Sequence, residues 1–121
     1  MKNIITLTMP PTLNASYRAR PDGKGQYKTQ EAKDWQEEVQ WLVNNCTPIE
    51  GPVALTFWII YKFDRDIDAC DKLLQDALQG AAYIDDKQIV SRYTYKVKDA
   101  SNPRLVVEWR AEDLKNLPIP A

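Results

Sequence analysis

Seven aspartates, Asp64, Asp66, Asp68, Asp71, Asp76, Asp85 and Asp86, fall between Asp64 and Val90 and make up seven of the chain's 17 acidic residues. Short carboxylates at this spacing repel one another unless a cation or proton neutralises them, so this segment is the expected working part. In extended chain Asp64, Asp66 and Asp68 point to one side, because side chains alternate with period two, and their carboxylates can converge on one cation. A helix beginning near Asp68 sets Lys72 one turn later on the same face, about 6 Å away, where an ammonium can meet a phosphate oxygen or developing charge. Asp85 and Asp86 open the next strand and can close the cluster from the other side if that strand lies beside the one before it. Oxygen-only donors select Mg2+ or Mn2+ in a loose, partly hydrated site.

The chain has no histidine, which removes Ser-His and Cys-His catalysis and every His-liganded metal. Cys46 and Cys70 lack CxxC spacing, form no zinc site or disulfide framework, and read as buried small hydrophobes. An EF-hand loop shares the D-x-D-x-D opening but fails at its sixth position, Ala69, and its twelfth, Gln75. The D-x-D motif of glycosyltransferases is a weak signal, and 121 residues leave little room for a nucleotide-sugar domain.

The net charge of −1 does not describe a protein that coats nucleic acid, but its distribution is uneven. From Tyr17 to Lys33 there are five basic residues, Arg18, Arg20, Lys24, Lys28 and Lys33, against Asp22 and Glu31. From Lys87 to Arg104 there are five, Lys87, Arg92, Lys96, Lys98 and Arg104, against Asp99. The seven aspartates lie between, with only Arg65 and Lys72 among them. A metal-loaded acidic centre rimmed by cations suits a polyanionic substrate, whereas ordinary charge runs are solvated faces.

The elements that must position these residues read as α+β: a small mixed β-sheet with two main helices, in the order β-α-β-α-β-β. Lys2 to Met9 alternates as a strand and stops at Pro10-Pro11. Thr12 to Gly25 is a polar, turn-rich loop. Thr29 caps a helix to about Asn45 with a stripe of Ala32, Trp35, Val39 and Leu42. Val53 to Phe63 is a central strand that delivers the chain into Asp64. Leu73, Leu74, Ala77 and Leu78 face a helix from about Asp68 to Gln79, stopped by Gly80. Strand Ile89 to Lys98 sets Arg92, Thr94, Lys96 and Lys98 on one face and Tyr93, Tyr95 and Val97 on the other. Asn102-Pro103 is a hairpin signal before the strand Leu105 to Arg110, and residues 111–121 form a loosely held tail of a single domain. Trp58 and Tyr83 are expected to pack rather than stack on bases. No stretch is long and apolar enough to span a membrane, and MKNIITLTMPP lacks a secretory core, so the expected location is cytoplasmic, with no membrane partner.

R-D-I-D at Arg65 to Asp68, Lys72, D-A-L at Asp76 to Leu78 and I-D-D-K-Q-I-V at Ile84 to Val90 together resemble the RusA family of Holliday-junction resolvases. Pro10-Pro11 with Asn14, Tyr17 and Arg18, and the helix after Thr29, are similar to its N-terminal part, so the resemblance runs to about Glu108. It implies a homodimeric, Mg2+-dependent endonuclease, with no small-molecule cofactor, that makes paired cuts in four-way DNA junctions during recombination and repair and is commonly encoded by prophages. Asp66, Asp68 and Asp86 match its catalytic, metal-binding aspartates, Lys72 its catalytic lysine, and Asp85 the first member of the Asp pair. The family pattern continues D-x-D-N, and here the asparagine is Ala69. Asp64 and Asp71 fall outside the catalytic set and read as solvated or helix-terminal charge. Arg18, Arg20, Lys24, Lys28, Arg92, Lys96 and Lys98 are the candidates for DNA-backbone contacts. The competing reading is a non-catalytic junction- or DNA-binding protein of the same fold.

Overall fold

In the computed structural model, which describes residues 3–44 and 46–120, the chain starts with β1 (Asn3–Leu7). A short helix α1 (Leu13–Ser16) and a hairpin of β2 (Tyr17–Ala19) and β3 (Gln26–Lys28) follow. Next come α2 (Gln30–Val43), β4 (Val53–Tyr61), α3 (Asp71–Leu78), β5 (Ile89–Lys98) and β6 (Arg104–Ala111). The mixed α+β class and the order of main elements are those the sequence predicts. Lys2, Asn45 and Ala121, at the edges of the expected strand, helix and tail, lie outside the described residues.

The main sheet runs β1-β6-β4-β5, antiparallel except for the parallel pair β4–β5. A parallel pair needs a crossover, and α3 supplies it. The helices pack on one sheet face, where Leu55, Phe57, Ile59, Leu105, Val107 and Trp109 meet Ala32, Trp35, Val39 and Val43 of α2. Leu73, Leu74, Ala77 and Leu78 of α3 complete that layer. Thr29 caps α2 by accepting from the Ala32 N–H (3.3 Å), and Gly80 takes the left-handed φ of +88° just past α3. Among the described residues no helix is long and apolar enough to cross a membrane.

Four sequence expectations change. The segment read as the loop Thr12 to Gly25 holds α1 and most of the hairpin, whose tip turns on Gly23 (φ +74°) and Gly25 (φ +95°). Short strands of polar residues carry too little apolar alternation to declare themselves. On α2 it is Val43, not Leu42, that is buried, because the stripe drifts with the 3.6-residue repeat. Helix α3 begins at Asp71 instead of Asp68, and residues 67–70 form turns in which Ala69 N–H donates to Asp66 O and Asp71 N–H to Asp68 O. Asn102-Pro103 does not close a hairpin: β5 and β6 lie on opposite sides of β4. The connection passes the end of β4, where Asp99 N–H donates to Tyr61 O (2.9 Å).

Candidate active site

The basic face of β5 organises the first half of the acidic segment. Residues paired across a ladder share a face, so Arg92, Thr94 and Lys96, opposite Leu55, Phe57 and Ile59, stand on the helix side of the sheet. After β4 the chain folds back along this edge. Lys96 Nζ holds Asp64 Oδ1 at 2.6 Å, and four residues earlier on the strand Arg92 Nη1 holds Asp71 Oδ2 at 2.8 Å. The Lys96 ammonium holds the Asp64 carboxyl below its ordinary value, and Asp64 in turn raises Lys96. Burial pushes Asp71 up, Arg92 draws it back and Asp68 pushes it up again. Arg65 Nη1 donates to Pro10 O (2.8 Å), which ties the Pro10-Pro11 segment to the aspartate loop. Asp66, Arg65 and Ala69 line a cleft of about 430 Å³ with Thr12, Asn14 and Asp64. Asp66 and Asp68 are exposed.

The second half is built from amides. Asp85 is the N-cap of a 3-10 turn over Asp86–Gln88, and its Oδ1 accepts from Lys87 N–H (2.9 Å). Gln88 brackets this turn. Its Oε1 accepts from Ile84 N–H (2.7 Å) and Asp85 N–H (2.8 Å), while Nε2 donates to Ile49 O (2.7 Å) and Gly51 O (2.8 Å). Gln79 Oε1 accepts from Asp86 N–H (3.3 Å). Tyr83 is fully buried and donates its hydroxyl to Gln75 O (3.0 Å), so it packs as expected. Beside it, Asp86 Oδ1 is buried without a hydrogen-bond partner. Burial raises the Asp86 carboxyl, the Tyr83 hydroxyl draws it back, and the charges of Asp76 and Asp85 push it up further. The ladder skips Val90 where Val53 pairs with Ile89 and Ala54 with Ser91, an irregularity at the strand start that follows this turn.

The expected convergence does not occur: among the described residues no three carboxylates stand close enough to hold one metal ion. Asp64 is taken by Lys96 and Asp85 by its own cap, and α3 starts too late for Asp68 and Lys72 to stand one helical turn apart. The parallel register also places the start of β5, and Asp86 with it, level with the start of β4, whereas Asp64 follows β4's end. Lys72 lies over the Tyr17 ring, 4.4 Å from its centroid. Donor chemistry nevertheless fits a hard cation, since Asp86 offers a buried, unpartnered oxygen crowded by like charge, and Mg2+ is commonly held by one or two carboxylates, waters and substrate phosphate.

The basic candidates divide as well. Arg18, Arg20 and Lys24 are exposed on the hairpin, and Lys98 is exposed at the end of β5; none makes an ion pair with a described residue. Arg92 and Lys96 serve the acidic segment, and Lys28 Nζ donates to Gln36 Oε1 at 2.6 Å. Cys70 is buried, and Cys46 is half-buried against the core. Tyr17, Asp76 and Gln88 lie within the sequence motifs, which assign them no role in the site, and Gln79 lies in none; the structure brings all four to it. Asp76 repeats Lys72 at four residues, a signal that was present; for Gln79 and Gln88 only the closed turn reveals the role.

A family profile described as Endodeoxyribonuclease RusA matches residues 8–110. No curated protein matches the chain significantly.

Proposed function

The chain belongs to the RusA family of Holliday-junction-resolving endonucleases, and from that premise we propose that it resolves four-way DNA junctions in recombination and repair by divalent-metal-dependent phosphodiester hydrolysis. The observation that carries the metal requirement is the buried, unpartnered oxygen of Asp86 beside the charges of Asp76 and Asp85. Asp86 would hold Mg2+, or Mn2+ in its place, and Asp66 and Asp68, which do not converge with it among the described residues, would join that shell only where the substrate phosphate draws the two limbs together. When bound, such an ion would supply polarisation of the scissile phosphate and a lowered pKa for the attacking water. Lys72 neutralises charge on that phosphate or its leaving oxygen. Arg18, Arg20, Lys24 and Lys98 contact the backbone, which positions the substrate without reading sequence.

A junction offers two symmetric strands, so a two-fold dimer with one site per subunit suits it. The sheet face away from the helices is the surface we assign to the second copy. Trp58 and Tyr95 stack there with centroids 6.0 Å apart, and Tyr93 and Val97 are about half exposed. Four strands at about 4.8 Å spacing and about eight residues long give roughly 500 Å² per copy, near the lower bound of about 1,000 Å² in total for a specific interface.

The test is cleavage of a labelled synthetic four-way junction and a matched duplex, with and without Mg2+, by wild type and Asp68→Asn. Paired nicks from wild type alone, on the junction alone and with metal alone are expected, with Asp68→Asn still binding. Binding without cutting under Mg2+ and Mn2+ supports instead a junction-binding protein of the same fold, and normal cutting by Asp68→Asn overturns the site.

A further inference from the structure

The hairpin and α3 are joined at two places apart from the aspartates, at Lys72 and at Leu73. Tyr17 opens β2 and Lys28 ends β3, and the two are cross-strand partners at the hairpin's base. The Tyr17 ring lies under Lys72 Nζ, 4.4 Å from the centroid. Its partner Lys28 donates to Gln36 Oε1 (2.6 Å), and Gln36, buried on α2, donates from Nε2 to Leu73 O (2.9 Å). One rung of the hairpin therefore grips two consecutive residues of α3, Lys72 by its ammonium and Leu73 by its carbonyl. The base itself is clamped, since Thr29 Oγ1 donates to Ala15 O (2.6 Å) and Thr29 N–H to Ser16 O (2.8 Å). Beyond the rung the hairpin carries exposed Arg18, Arg20 and Lys24.

We propose that Tyr17 is a positioning residue for Lys72, with the Lys28–Gln36–Leu73 relay fixing the opposite strand, so that phosphate contacts made by the hairpin set the place of the ammonium. The inference rests on the nuclease reading for the role of Lys72, and on geometry alone for the contact. An ammonium over an aromatic face is attracted by the ring quadrupole, and the attraction strengthens as water is excluded. The Tyr17 hydroxyl is buried and has no hydrogen-bond partner, so the ring, not the phenol, is the working part. A side chain needed only for packing would be replaceable by an aliphatic one of similar reach; one that holds a cation would not.

The experiment compares Tyr17→Leu and Tyr17→Phe, each with Lys72 present and with Lys72→Ala. Single-turnover junction cleavage is expected to fall about tenfold in Tyr17→Leu with junction affinity unchanged, to be restored by Tyr17→Phe, and to show no further loss from Tyr17→Leu once Lys72 is alanine. In parallel, the ε-methylene resonance of Lys72 should be shifted upfield by the ring in wild type and Tyr17→Phe and return towards its unshifted position in Tyr17→Leu. An equal cost of Tyr17→Leu in the Lys72→Ala background, or a methylene resonance that ignores the loss of the ring, overturns the proposal. Wild-type protein that cuts no junction overturns the nuclease reading instead, while the methylene shift still decides whether Tyr17 holds Lys72.

Discussion

The two limbs of the acidic segment are neutralised differently. The limb after β4 meets cations of its own chain: Lys96 holds Asp64 and Arg92 holds Asp71, so the basic face of β5 serves as an internal counter-charge. The limb before β5 meets neutral groups instead of cations. Gln79 and Gln88 bond its backbone, Asp85 spends its carboxylate on a cap, and Asp86 is left with a buried oxygen facing Asp76 and Asp85. A charge already paired is structural; one held in place by neutral groups and left uncompensated is the one available to a cation. Sequence spacing alone, which weighted Asp64, Asp66 and Asp68 as a unit, does not make that distinction.

The comparison breaks most sharply at Asp86. Asp86→Asn is expected to lower metal-dependent cleavage by at least about 100-fold while leaving thermal stability unchanged or higher, because it removes a charge that its neighbours disfavour. Cleavage within a few-fold of wild type would transfer the metal role to the other limb. Gln88→Leu should come next. It deletes four hydrogen bonds, two within the turn to Ile84 and Asp85 and two that join it to Ile49 and Gly51, so urea unfolding should show a loss of about 1–3 kcal/mol. Activity should fall about tenfold or more as Asp86 loses its fixed position.

Proton linkage gives the two limbs opposite signs. Asp86 has a raised value in the folded chain, so the folded state keeps its proton longer and stability falls as pH climbs from the ordinary 3.8 through the folded value. Asp64 has a lowered value, so its contribution is present above 3.8 and is lost as pH falls through the folded value. In metal-free protein, Asp86→Asn should remove a downward slope above pH 3.8 and Asp64→Asn an upward slope below it, read by urea midpoints across acid pH. The smallest effect is expected for Asp64→Asn on activity, a change within about twofold, since its ion pair with Lys96 is well exposed.

Much of the fold was legible because apolar periodicity is local. Leu73, Leu74, Ala77 and Leu78 announce the buried face of α3, the run from Val53 announces a strand buried on both faces, and Thr29 and Gly80 mark helix ends through their own side chain or φ. The alternation of β5 into basic and apolar faces was equally readable. Its use was not, because a row of cations looks the same whether it meets DNA or the chain's own aspartates.

The sequence by itself determined the α+β order, the aspartate-rich segment between two basic ones, and the motif set that carries family membership from residue 8 to residue 110. Only the tertiary structure decided that β5 lies parallel beside β4, that β6 takes β4's other side, that Arg92 and Lys96 pair with the chain's own aspartates, and that Tyr17 and Gln36 reach Lys72 and Leu73. The physical reason is range: capping, turn conformation and apolar period act over a few residues, whereas the partner of a charge or an aromatic ring is chosen by whatever distant segment the packed sheet brings against it.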